Sequence, residues 1–251
     1  MADKPQKIIP TIHNLAHSQA FRCVWALEEL KVLNPTFQFH ILNYPRMNPH
    51  NYELAKHHRL GKSPIMTLET TDNSPVPTPQ LEPGVLTESV LILQYINDTY
   101  ANHLWDPKSP EDQKRNHFFT QFAIDTLSLK TQFAMLFDLI PSIMPFPLNY
   151  ILGAVFSPIK THFLKDVQPI YQLLEDYLSD EKPWFGGERM GLADFNMSWG
   201  LDMGSHRGYL DGVKYPKVGE WVERIRAREG YKRAVEVSGG ELDLKWFGQK
   251  K

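Results

Sequence analysis

Three short stretches bring together residue types that can do chemistry. His17-Ser18 precedes an amphipathic run, Gln19 to Val32, that reads as a helix. A hydroxyl at such a start can cap the helix, worth about 1 kcal/mol. It can equally donate to an anion, helped by the positive end of the helix dipole. Glu88-Ser89 stands where a short strand gives way to another helical run. There the Ser89 hydroxyl and the free N–H groups of the first turn can cap the helix or hold a carboxylate, and Glu88 can accept an ammonium group. Ser63 precedes Pro64 and is therefore extended, so its N–H and C=O can meet a ligand's peptide units as an added strand would. Lys62 and His58 lie beside it, a cation and an imidazole that are each at home as solvated side chains. His57 and His58 lack metal-ligand spacing with Cys23 or a further histidine, so no metal site is expected.

The elements that must position these groups fall into two halves. Up to about residue 101, short β-like runs (Ile8 to His13, Phe37 to Leu42, Ile65 to Leu68, Val85-Leu86) alternate with helical ones (Gln19 to Val32, Glu53 to His58, Ser89 to Tyr100). The order β-α-β-α-β-β-α predicts a small sheet covered by helices, with Pro10 suited to a strand edge or end. Residues 102–110 read as a linker. From 111 to 251 the pattern is all-helical: Glu111 to Leu139, Pro158 to Leu178, Ala193 to Gly204 and Pro216 to Val237.

Composition limits the alternatives. Of the 251 residues 42% are hydrophobic and 22% charged, an ordinary globular balance. The net charge of -2 lacks the basic footprint of a nucleic-acid binder. Cys23 is the single cysteine, which precludes an intrachain disulfide and suits a reducing compartment. A cytoplasmic protein is the expectation. Leu139 to Ile159 carries no formal charge, yet Pro141, Pro145, Pro147 and Pro158 argue against a transmembrane helix. That stretch is expected as a buried or pocket-lining loop and helix, with peripheral contact to a membrane surface as the alternative.

Five patterns, in order and register along nearly the whole chain, resemble the glutathione S-transferase family. They are His17-Ser18-Gln19-Ala20-Phe21-Arg22, Leu60-Gly61-Lys62-Ser63-Pro64-Ile65, the run from Leu86 to Ile96 containing Glu88-Ser89, the run from Gly187 to Phe195, and the run from Tyr215 to Trp221. The flavour is theta-like or fungal, with Ser18 four residues before Arg22 and a segment Met144 to Tyr150 like one in a fungal branch. The resemblance implies a thioredoxin-like α/β domain over residues 1–101, binding glutathione as co-substrate, and an all-α domain over 111–251 lining the pocket for a hydrophobic electrophile. It implies a homodimer and a cis peptide at Ser63-Pro64. Catalytic roles fall to Ser18, with His17 as competitor and Asn14 a weaker one; substrate-binding roles fall to His58, Lys62, Ser63, Pro64, Glu88 and Ser89.

The chemistry implied is thiol activation. A free thiol, with pKa near 8.5, is mostly protonated at neutral pH, and only the thiolate attacks well; lowering that pKa by about two units takes roughly 2.7 kcal/mol. Tyr and Phe side chains and Met between Phe118 and Phe156 are candidates for the electrophile pocket or for core. Arg22 is expected to order α-helical structure rather than touch substrate, and Cys23 to be buried and inert, which disfavours disulfide exchange. Where the family has Ser or Thr capping the helix of Asp194, this chain has Gly191, which lacks a side-chain acceptor. Two rival readings are a glutathione-binding carrier or regulator without transferase activity, and a dedicated glutathione-dependent biosynthetic enzyme or isomerase.

Overall fold

The computed structural model describes residues 6–46 and 52–239. They divide into two units: residues up to 104 with those from 226 onward, and Trp105–Ile225.

In the first unit β1 (Ile8–Leu15) and β2 (His40–Tyr44) run parallel, while β3 (Ile65–Thr70) and β4 (Val85–Thr87) complete a mixed sheet of order β2-β1-β3-β4. β1 is antiparallel to β3, which pairs His13 with Ile65. Pro10 lies within β1 but pairs only with β3, because the β2 pairing begins at Thr11. Its missing N–H thus falls where one neighbour is absent. α1 (Phe21–Leu33) buries Phe21, Val24, Trp25, Leu27 and Leu30. α2 (Tyr52–Ala55) is one turn, and α3 (Ser89–Thr99) buries Ile92, Leu93 and Ile96.

The expected single helix from Pro216 to Val237 is two: α8 (Pro216–Ala227) and α9 (Glu229–Val237), broken at Arg228, whose backbone is extended (φ -68°, ψ 139°). The break has a cause far away in sequence. The Arg228 guanidinium forks onto buried Glu29 of α1, with Nε to Oε1 and Nη2 to Oε2 both at 2.7 Å. Arg233 adds a 3.0 Å bond to Glu28, and Tyr231 meets the rings of Phe21 and Trp25 edge-on. α9 is therefore part of the first unit.

The second unit is helical. α4 (Pro110–Phe122) starts with Ser109 accepting from the Asp112 N–H at 3.0 Å and Pro110 in the first turn. A π-helical segment, Ala123–Ser128, joins it to α5 (Leu129–Ser142), followed by α6 (Leu148–Tyr177) and α7 (Leu192–His206). The expectation for Leu139 to Ile159 needs correction. Apart from a short turn it is helical, and many of its side chains are exposed rather than buried. Pro141 falls in the last turn of α5, Pro147 just before α6, and α6 continues through Pro158, losing only the bond that its missing N–H would make. α5 and α6 hold one another through the rings of Phe133, Phe137, Phe156 and Phe163, with centroids 5.2–5.8 Å apart.

Gly191 has a compensating arrangement. The acceptor its side chain lacks comes from α4: Asn116 Oδ1 accepts from the Ala193 N–H at 2.9 Å. A Cβ at position 191 would lie 2.7 Å from that same oxygen, so glycine makes room for the imported cap. Asp194, fully buried, accepts from the N–H groups of Phe185, Gly186 and Gly191 and from the Trp221 indole at 2.8–3.0 Å. Burial pushes its carboxyl up, against those four donors.

Candidate functional site

The candidate site belongs to the first unit, at the ends of β1 and β4 and the turn before β3. After β1 the chain swings through His17 in the left-handed region (φ 52°). Arg46 clamps this corner, donating to the carbonyls of Ala16 at 2.9 Å and His17 at 3.0 Å. Ser18 then ties the turn into α1: its Oγ accepts from the Ala20 N–H at 3.1 Å, while its carbonyl accepts from Phe21. α1 thus begins at Phe21, two residues later than the sequence suggests. Ser18 is 5% exposed, and its Oγ is 3.5 Å from Ser63 Oγ. With its lone pair engaged by Ala20, the hydroxyl can still turn its proton outward as a donor.

The Ser63-Pro64 peptide is cis. The Ser63 hydroxyl accepts from the Leu15 N–H at 3.0 Å and donates to the His13 carbonyl at 2.8 Å, lashing this turn to the end of β1. Among the described residues, neither main-chain group of Ser63 takes part in a backbone–backbone bond. The extended-ligand geometry expected of it is therefore open.

Ser89 is buried at the first position of α3, and its hydroxyl accepts from Arg22 Nη2 at 2.6 Å. Arg22, also buried, bonds Gln19 Oε1 as well. Burial lowers its guanidinium to about 10, with Cys23 and Glu88 pulling the other way, so it stays cationic at neutral pH. Sequence reasoning gave Arg22 an ordering role; the structure adds a positive charge directly behind the serine at a helix N-terminus, the combination that suits an anion. Glu88 is exposed with φ 64° and ψ 109°, a conformation costing on the order of 1–3 kcal/mol for a non-glycine residue. It stands at the N-cap position of α3, beside Ser89, and its side chain makes no cap bond.

Lys62 is exposed and His58 half-buried, both on the segment that leads into Ser63. Neither side chain is joined to Ser18 or Ser89 by any described contact. His57 is not simply a surface group: its ring lies 3.9 Å from that of His13. His13 bonds Tyr44 Oη at 2.9 Å and Thr67 Oγ1 at 3.0 Å, so one neutral imidazole satisfies both partners. Burial, reinforced by His57, pushes His13 down to about 4. This polar cluster and the Arg46 clamp escaped sequence reasoning, since each joins residues about thirty or more positions apart. Cys23 is buried against the Ser89 carbonyl, and burial raises its thiol to about 12, which leaves it inert. Among the described residues no group of three or more His, Cys, Asp or Glu could hold a metal ion, and no helix is long and apolar enough to cross a membrane.

Comparison with known proteins finds likenesses to one family of enzymes. Residues 160–229 match the model of the family described as glutathione S-transferase, C-terminal domain. Glutathione S-transferase 1 of Saccharomyces cerevisiae is 24% identical over 232 residues, 90% of this chain and 93% of its own length. A glutathione S-transferase from Actinobacillus pleuropneumoniae superposes with a TM-score of 0.68 at 23% identity, covering 95% of this chain and 96% of that one. The glutathione transferase URE2P8 of Phanerochaete chrysosporium, solved with oxidized glutathione, gives 0.64 at 19% identity over 94% and 97%. With a thioredoxin-like sheet and a helical second unit, the chain has the fold of glutathione S-transferases and is similar to them along most of its length.

Proposed function

We propose that the chain binds glutathione on its thioredoxin-like domain and transfers it, as a thiolate, to hydrophobic electrophiles. The observations that carry this reading are the Ser18 hydroxyl 3.5 Å from Ser63 Oγ, the Ser63 main chain outside any backbone–backbone bond among the described residues, and Ser89 backed by cationic Arg22. In this reading Ser89 and the first N–H groups of α3 hold the γ-glutamyl carboxylate, and Glu88 accepts its ammonium. Ser63, next to Pro64, pairs with the peptide units, and His58 and Lys62 face the glycyl carboxylate. The thiol proton leaves to solvent. Ser18 O–H donates to the sulfur, and the N-terminus of α1 adds its partial charge. The thiolate then forms the S–C bond, and the electron pair passes to the leaving group or to the carbon framework of an acceptor. Aromatic and Met side chains between Phe118 and Phe156 of the helical domain supply the apolar lining. A homodimer in the cytoplasm, serving detoxification, completes the picture.

The test is Ser18→Ala. Glutathione affinity should persist while conjugation of a model electrophile falls about 100-fold, matching the roughly 2.7 kcal/mol needed to poise the thiol. Unchanged turnover would shift the role to His17 or a main-chain donor. The burial of Ser18 favours one alternative, a glutathione carrier or regulator without transferase activity. A titration of the bound thiol by ultraviolet absorbance separates the two, because a carrier has no need to depress the pKa.

A further inference from the structure

The parallel strands β1 and β2 end side by side, and the chain leaving β2 grips the chain leaving β1. Tyr44, the last residue of β2, accepts the Ala16 N–H on its carbonyl at 2.9 Å. Two residues further on, Arg46 returns the grip: Nε donates to the Ala16 carbonyl at 2.9 Å and Nη2 to the His17 carbonyl at 3.0 Å. Ala16 is therefore held by its N–H and by its C=O, and one half-buried guanidinium bridges two successive carbonyls. A planar fork with two prongs engaged fixes the relative direction of two peptide planes, which a single ammonium cannot do. The corner so held is an unusual one, since His17 occupies the left-handed region at φ 52°.

Holding these carbonyls also decides where the next N–H points. The His17-Ser18 peptide is trans, so its C=O and N–H are antiparallel, and the bond from Arg46 turns the Ser18 N–H away from the guanidinium. Among the described residues neither the Ser18 nor the Gln19 N–H takes part in a backbone–backbone bond, whereas the Ala20 N–H is taken by Ser18 Oγ. A carbonyl polarised by a cation makes the N–H across the same peptide a stronger donor. We propose that Arg46 is a positioning residue for thiol activation: its fork on the Ala16 and His17 carbonyls directs the Ser18 N–H, together with the Ser18 hydroxyl, at the sulfur of glutathione. This inference rests on the reading that the thiolate lies at Ser18. Arg46 acts through the main chain and need not touch the sulfur, so its effect falls on the acidity of the bound thiol and on turnover rather than on affinity.

The experiment titrates the thiol of bound glutathione by ultraviolet absorbance in the wild type, Arg46→Gln, Arg46→Lys and Ser18→Ala, and measures kcat and KM with a model electrophile. Arg46→Gln should raise the pKa of the bound thiol by about 1 and lower kcat about tenfold, with KM for glutathione changing less than about twofold. Arg46→Lys keeps the charge without the fork and should recover at most about half of that pKa change. A wild-type pKa in Arg46→Gln, beside a raised one in Ser18→Ala, overturns the inference and leaves the Ser18 reading standing. A wild-type enzyme whose bound thiol is no more acidic than the free one removes that reading, and the inference with it. If Arg46→Gln raises KM about tenfold at an unchanged thiol pKa, Arg46 is a carboxylate ligand instead; if Arg46→Lys recovers the pKa in full, charge alone is the cause; either result overturns the inference. Should Arg46→Gln fail to fold, the same titration of Arg46→Lys decides: a pKa raised by about 0.5 or more supports the grip, and an unchanged one refutes it.

Discussion

Two helix starts in this molecule meet the same need in opposite ways. Before α1, Ser18 satisfies a free N–H with its own hydroxyl, two residues on. At the start of α7, Gly191 has no such group, and Asn116, 75 residues earlier by sequence number, supplies the acceptor. The local solution keeps a buried hydroxyl at the corner of the candidate site, with its proton still able to donate. The imported one is interior and purely structural: it locks α7 to α4 and leaves Asp194 to gather four donors. A side chain that satisfies its own turn can take on chemistry; one borrowed across the fold is committed to holding elements together.

The contrast can be tested at either end. Asp194→Ala should have the largest effect, destabilising by about 3–5 kcal/mol as four buried donors lose their acceptor, read as a fall in urea midpoint. In the first unit, His13 gives a pH dependence. Its folded pKa of about 4 lies below the ordinary 6.5, so the unfolded chain binds the extra proton between those values. Stability should then fall as pH drops from about 6.5 to 4, by up to about 3 kcal/mol. His13→Gln should flatten that part of the profile, measured as urea midpoint against pH. Ser18→Ala should separate the two starts most clearly: the roughly 2.7 kcal/mol should appear in the rate of conjugation, with stability changing by about 1 kcal/mol or less. Asn116→Ala should do the reverse, costing about 1–2 kcal/mol of stability and leaving glutathione retention intact. Gly191→Ser should destabilise the wild type by crowding Asn116, yet restore a part of what Asn116→Ala loses. A double-mutant cycle by thermal melting without that reversal would mean that the cap is not shared.

Much of this was readable in advance wherever the cause is local. The alternation in Ile65 to Leu68 and the apolar spacing of α1 depend on neighbours within a few residues, so the α/β order emerged from the chain itself, while Ser18, Ser63 and Ser89 were singled out by the family resemblance. What stayed hidden depends on partners far off. Between Pro216 and Val237 Gly230 alone hints at the break at Arg228, and the partner that holds it, Glu29, is 199 residues away. Nothing around Gly191 reveals that Asn116 stands in for a missing hydroxyl. The Leu139 to Ile159 stretch misled for another reason: prolines and apolar side chains suggest an interior loop, but a helix tolerates prolines near its ends, and an apolar tip need not be covered by its own chain.

The docking of α9 on α1 sets an order for assembly during synthesis. When α1 leaves the ribosome, Phe21 and Trp25 present bare rings, and Glu28 and Glu29 lack the arginines they meet in the finished unit. Those partners emerge some 200 residues later, on the order of ten seconds or more at ordinary elongation rates. For that interval the sheet that carries the candidate site has an unfinished flank, and the part of the chain made first is among the last to be completed.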